Sequence, residues 1–374
     1  MMQSNVEANT PRSPVPRRKT PPRGGFSSGA VLPELTDREH EVLGAVIDSF
    51  VRSATPSGSR KLVREYEFGV SSATIRNAMA DLERKGLLMH PHTSAGRLPT
   101  DLAYRYYVDH LMRRRPMDAE RQRVRAELED AYVGGVDDIL AKAVRVLTLL
   151  TGELGLAVGP VLAGATLRRI ELVRVSAEKV LIVLTLESGL VRTVYVDVES
   201  VLPRETLQAL SSALSERLSG DTLREITRTL RQRLGDLHLD APGAQEMINI
   251  FVQGGQEIFE WARTESDIHL GSPTVLAGQP EFTEGDRLRS LLKLTERREL
   301  LAEVLGDRKS KGAHVTIGQE HGQPELDSLT IVTANYEVGN LQGTVGVIGP
   351  TRMPYDKVVS LVDWTSEMLT RLTP

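Results

Sequence analysis

The chain has 374 residues, 40% hydrophobic and 26% charged, which gives room for two or three globular domains with a sizeable core. It holds no cysteine, which excludes disulfides, thiolate nucleophiles and cysteine-ligated zinc and fits the reducing cytoplasm; no apolar run nears the roughly 20 residues of a membrane-spanning helix. The net charge of −4 is uneven: residues 1–115 carry 18 Lys+Arg against 12 Asp+Glu, a net +6, and the other 259 carry 28 against 38, a net −10.

That asymmetry suits a nucleic-acid reader joined to a body that stays off nucleic acid, or is an unevenness without function. Residues 1–33 hold six prolines, three glycines and no hydrophobic period, and are expected to be disordered. The stretch "PRSPVPRRKTPPRGG" reads either as a solubilising tail or as an arm that lies along phosphates. Arg17-Arg18 lacks the following apolar segment of a twin-arginine export signal.

Order is expected from Thr36. Thr36-Asp37-Arg38-Glu39 is a capping box, and Leu43, Val46, Ile47 and Phe50 follow at helical spacing. After Pro56, Ser57 or Gly58 opens a second helix with Leu62, Val63 and Tyr66 inward, and Gly69 breaks it. Ser71 then caps a third helix whose stripe Ile75, Met79 and Leu82 faces the other two, closed by Lys85-Gly86. Leu87 to Pro91 and Arg97-Leu98 predict two short strands around Ser94-Ala95-Gly96. Three helices and a hairpin are the plan of a winged helix-turn-helix. Thr100 caps a further helix with Tyr104, Tyr107, Val108 and Leu111 buried, ending at Arg113-Arg114-Arg115-Pro116.

The third helix presents Ser72, Ala73, Arg76, Asn77 and Ala80 opposite its apolar stripe. Arg bonds bidentately to guanine, Asn to adenine, and small Ala lets the backbone sink into a major groove. Ser71 and Ser72, beside free N–H groups at a helix N-terminus, suit a phosphate. The competing reading, a solvated helix face, loses ground because a helix-turn-helix precedes and a basic hairpin follows. Thr93, Ser94 and Arg97 place polar groups on that hairpin, within reach of a minor groove or the flanking backbone. His90 and His92 flank Pro91 with no third ligand nearby, so bonding to phosphate or backbone is favoured over zinc.

The remainder predicts an apolar helix over 137–150, a three-strand meander over 167–198 turning at Glu187-Ser188-Gly189, and helices over 203–262 and 286–305. A final hairpin, "LTIVTANYEVGNLQGTVGVIG", and a terminal helix from about 354 follow. This is an α+β domain carrying a mostly helical insertion. Gly343, Gly346 and Gly349 permit a phosphate-loop reading, but the Gly-Lys-Ser/Thr ending is missing and Thr344, Val345, Val347 and Ile348 read as strand. His238, His269, His314 and His321 are scattered, and Glu296 and Glu299 sit on a charged helix face. No catalytic, metal or cofactor site is predicted.

Three stretches, "PSGSRKL", "GVSSATIRNAMADLERKGLL" and "PHTSAGRLPTDLAYRYYVDHL", resemble the heat-inducible transcription repressor HrcA family, as does "GTVGVIGPTRMPYDKVVSLVDW" near the other end. The similarity runs from about residue 34 to 374. It implies a homodimer with a winged-helix DNA-binding domain (34–115), a GAF-like domain (116–200 and 275–374) and an inserted dimerisation domain (201–274). It further implies repression of chaperone operons through the CIRCE inverted repeat, promotion of the active form by the GroEL chaperonin, and DNA contacts by Ser59, Arg60, Ser71, Ser72, Thr74, Arg76, Asn77, His92, Thr93, Ser94 and Arg97. The family commonly has an acid after the Arg-Asn pair, where this chain has Ala78; the change bears on helix packing or on a local ion pair. Rival readings are a winged-helix regulator with a small ligand in the GAF-like domain, an enzyme, and a structural adaptor. Arg76 and Asn77 above an apolar stripe argue against the last.

Overall fold

A computed structural model describes residues 32–91, 96–113, 117–131, 136–199, 201–264, 268–283 and 312–373. The basic tail, His92 to Ala95 of the hairpin, Arg114 to Pro116, and the expected helix 286–305 with Glu296 and Glu299 lie outside the described residues, apart from Leu32 and Pro33.

The first unit begins with α1 (Asp37–Ser53), where the capping box forms: Thr36 N donates to Glu39 Oε2 (2.7 Å) and Glu39 N to Thr36 Oγ1 (3.3 Å). After α2 (Ser59–Glu65), α3 (Ser72–Arg84) turns Ile75, Met79 and Leu82 wholly inward. Its end is a Schellman motif: Leu87 N bonds Leu82 O, Gly86 N bonds Glu83 O, and Gly86 takes φ +76°. Ala78 is 7% exposed on the packed side, so its departure from the family pattern concerns the core rather than the outer face. Strands β1 (Leu88–Met89) and β2 (Leu98–Pro99) pair antiparallel, and Ser57 bridges Arg97 to extend the ladder. Thr100 caps α4 (Asp101–Tyr106), which widens into a π turn over Tyr107–Leu111.

The body is built on a five-stranded antiparallel sheet of order β7-β3-β10-β9-β8, its strands being β3 (Leu154–Val158), β7 (Ile268–Leu270), β8 (His314–Ile317), β9 (Leu329–Val338) and β10 (Leu341–Pro350). Helix α6 (Val136–Thr151) and the terminal helix, Tyr355–Leu372, cover one face, and α5 (Asp118–Ala131) packs on these two helices. Leu276, Phe282 and Leu326 cover the other. Central β10 is buried on both sides, and a Cβ on Gly343 would lie 2.3 Å from the Tyr336 ring. Its glycines therefore serve strand packing.

The expected meander is observed as β4 (Leu167–Arg174), β5 (Lys179–Leu186) and β6 (Val191–Asp197), a sheet separate from the five-stranded one. Its buried face shares a core with α7 (Arg204–Leu218), α8 (Leu223–Leu234) and α9 (Ala244–Thr264), through Ile170, Ile182, Leu184, Leu210, Leu214 and Phe251 among others. Ser215 and Ser211 of α7 accept from Ile170 N and Leu172 N, covering the edge of β4. The boundary expected at residue 200 thus cuts through one hydrophobic core, because the meander packs on the helices that follow it. Among the described residues no helix is long and apolar enough to cross a membrane.

The first unit and the five-stranded sheet share a continuous core. Tyr104, 2% exposed, packs its ring 5.7 Å from that of Tyr355. Arg105 reaches Glu320 and Val315 O, and Arg352 reaches Glu281 and Val51 O. Beside Arg352, Glu153 is 3% exposed and accepts from Gln279 Nε2 at 3.0 Å. Burial pushes its carboxyl up to about 8, against the opposing pull of Gln279 and Arg352.

Leu82→Ala is expected to destabilise the protein by roughly 2–5 kcal/mol by opening a cavity beneath α3, read as a lower melting temperature; an unaltered melt contradicts the packing. Glu153 stays protonated in the fold while the unfolded chain ionises near 4.5, so its contribution is full below about 4.5 and is lost as pH rises towards about 8. Melts of Glu153→Gln at pH 4.5 and pH 8 are expected to show a gain only at the higher pH; equal offsets at both contradict the burial effect.

Candidate nucleic-acid interface

The exposed face of α3 follows from its buried one. With Ile75, Ala78, Met79 and Leu82 packed, helical geometry leaves Ala73, Thr74, Arg76 and Asn77 outside, with Ser72 and Ala80 half-buried. Among the described residues Arg76 and Asn77 have no hydrogen-bond or ion-pair partner, so both heads are available to a ligand. Ser71 is the N-cap, with Thr74 N donating to Ser71 Oγ at 3.3 Å and the two hydroxyls 3.1 Å apart. The structure therefore brings Ser71, Ser72, Thr74, Arg76 and Asn77 together along the first two turns of one helix.

Other expected residues fall differently. Arg60 is exposed at the start of α2, but Ser59 beside it is buried, with 7% of its surface exposed. His92, Thr93 and Ser94 lie outside the described residues. Arg97 is held back: its Nε and Nη2 donate to Glu83 Oε2 at 3.1 and 3.0 Å, and its side chain is 15% exposed. His90 Nδ1 lies 2.5 Å from the other oxygen, Glu83 Oε1. The bond to His90, with that to Arg97, holds the Glu83 carboxyl below the usual carboxylate range. Glu83 thus fastens the hairpin to the end of α3, a role with no local signal because its partners stand 7 and 14 residues away.

The hairpin also needs a close approach. Ser57 and Arg97 exchange backbone bonds of 3.1 and 3.0 Å, and a Cβ on Gly96 would stand 2.5 Å from the Ser57 carbonyl carbon. Only glycine fits without displacing backbone. Chemically, the site is a helix face on which, among the described residues, the guanidinium of Arg76 and the amide of Asn77 have no protein partner, with the hairpin strand at Arg97 fastened beside it by Glu83. Nothing in it is arranged for covalent or acid–base chemistry. Among the described residues no cluster of three or more His, Cys, Asp or Glu could hold a metal ion.

Comparison with known proteins gives the same neighbourhood at several levels. The family described as HrcA protein C-terminal domain matches residues 137–359. The heat-inducible transcription repressor HrcA of Chlorobium chlorochromatii is 36% identical over 340 residues, covering 90% of this chain and 97% of the relative. Those of Chlorobium limicola and Chlorobaculum tepidum are 36% and 34% identical over the same shares of each chain. A crystal structure of a hypothetical protein superposes with a TM-score of 0.60 at 21% identity, covering 91% of this chain and 99% of that one, which bears on the fold alone.

Gly96→Ala is expected to push the hairpin off Ser57 and to destabilise the protein by about 1–3 kcal/mol. Thermal melting checks this, and a parental melting temperature contradicts the close approach.

Proposed function

The chain belongs to the heat-inducible transcription repressor HrcA family, and from that premise we propose that it reads the CIRCE inverted repeat upstream of chaperone operons as a homodimer. A protein of this family is a DNA-binding repressor and not an enzyme. The observation that carries the reading is the unpartnered Arg76-Asn77 pair on the outer face of α3, over a fully buried stripe.

In this account α2 and α3 form the helix-turn-helix, and β1–β2 the wing. Arg76 and Asn77 enter the major groove and address guanine and adenine, while Ser71, Ser72, Thr74 and Arg60 meet phosphates. His92, Thr93 and Ser94 at the wing tip approach the adjacent groove or backbone. Arg97 contributes only as far as Glu83 releases it, and buried Ser59 supports the turn without touching DNA.

The five-stranded sheet and its helices form the GAF-like domain, and the three-stranded sheet with α7–α9 forms the insertion, drawn from about 162 to 264 on the strength of its shared core. The outer face of that small sheet carries Val173, Val191 and Tyr195, each about half exposed or more, and register places Val173, Leu181 and Tyr195 in one cross-strand row. Such a face suits pairing with a second copy. Two-fold symmetry then matches the inverted repeat. Heating that loosens either body costs the second half-site and most of the affinity. Promotion by GroEL and residence in the cytoplasm complete the account on family resemblance.

Arg76→Ala and Asn77→Ala are each expected to cost about 1–3 kcal/mol on the cognate repeat and to relax specificity at one base pair. Titrations against cognate and scrambled duplexes check this; equal losses on both would reduce the two residues to phosphate contacts and overturn the reading.

A further inference from the structure

The polar junction between the first unit and the sheet uses none of the residues exposed on α3, and it is built with directional bonds that packing alone does not require. On one side Arg105, with 5% of its side chain exposed, donates Nε to Glu320 Oε1 and Nη2 to Val315 O, both at 2.7 Å. Asp101, one turn earlier on α4, accepts from Gln319 N at 3.4 Å. A Cβ on Gly318 would meet that same carboxylate, so the Asp101 side chain sits directly against the Gly318 backbone. On the other side Arg352 donates Nη1 to Val51 O at 2.7 Å, a carbonyl in the last turn of α1 that the helix itself leaves free. The rest of its fork grips Glu281, with Nη2 3.0 Å from Oε2. Tyr107 adds a bond from its hydroxyl to Asp356 Oδ1 at 2.9 Å.

An arginine fork fixes direction as well as distance. One fork reaches from α4 to the body and the other from the body to the end of α1, so together they fix both the tilt and the position of α3 on the body. We propose that Arg105 and Arg352 are positioning residues for operator reading, which lock α3 on the body and so set the half-site separation that the dimer accepts. The inference rests on the dimeric reading above. It assigns to the junction a property that no contact with DNA supplies: tolerance or intolerance of the spacer between half-sites.

The test uses full-length protein and two double variants, Arg105→Met/Glu320→Gln and Arg352→Met/Glu281→Gln, each removing both charges of the main pair, with Asp109→Asn added to the first because Arg105 Nη1 also meets Asp109 Oδ1 at 3.3 Å. The duplexes are the inverted repeat with its native spacer, the same repeat with one or two added base pairs, and a single half-site. Each added base pair rotates the second half-site by about 35° and shifts it by about 3.4 Å. The parent is expected to lose about tenfold or more on the longer spacers, and the variants less than about threefold, with half-site binding within about twofold of the parent. Folded, dimeric variants that keep the parental spacer dependence overturn the inference, as does a half-site loss in proportion to the loss on the repeat. Should either double variant fail to fold, Arg105→Lys and Arg352→Lys, which keep the charge without the fork, take its place under the same criteria. A parent that binds every duplex alike would instead overturn the dimeric reading itself.

Discussion

Burial of α4 against the sheet is the constraint on which the rest of the molecule depends. Tyr104 and Arg105 are adjacent, and helical geometry sends them in different directions, one into the aromatic contact with Tyr355 and the other to Glu320 and Val315 O. Because the apolar core runs unbroken from α1 and α3 through Tyr104 to β9 and β10, the first unit is a fixed part of the body and not a bead on a tether. The π turn that follows completes the passage between the two. Rigid attachment lowers the orientational entropy that a loosely held helix would lose on docking to any partner.

Electrostatics divides the surface along the same line. Around α3, acids are present but occupied: Glu83 is taken by Arg97 and His90, and Glu39 by Lys85 and the capping box. Among the described residues, the Arg76 guanidinium and the Asn77 amide on the outer face of that helix are left unpaired. The acidic surplus lies in the body, where it disfavours stray contact with phosphates. The hairpin is held by Glu83 and by the flush passage of Gly96 over Ser57.

Local signals made the first unit legible. The Thr36–Glu39 box, the Ile75–Met79–Leu82 stripe and the Lys85-Gly86 ending each act within a few residues, and each is found in the structure. The β9–β10 hairpin and the terminal helix were legible for the same reason. Strands β3, β7 and β8 were not: they are short, and their partners lie up to about 190 residues away, so pairing and not local pattern makes them strands. The packing of β4–β6 on the helices after them was not legible, because alternation along the strands says that one face is buried but not against what. Ser59, a contact by family position, is buried in the structure, which its neighbours in sequence do not signal. Arg97 was identified as basic and exposed, while Glu83, which restrains it, carried no mark in the sequence.

The account's central claim is that two copies of α3, held at a fixed separation, read an inverted repeat. Fluorescence anisotropy of the full-length protein tests it most directly, on duplexes carrying the whole repeat, one half-site and a scrambled sequence, each at two salt concentrations. The account predicts tight binding to the whole repeat, much weaker binding to the half-site, and weak, strongly salt-dependent binding to the scrambled duplex. Equal and equally salt-sensitive binding to all three would contradict it.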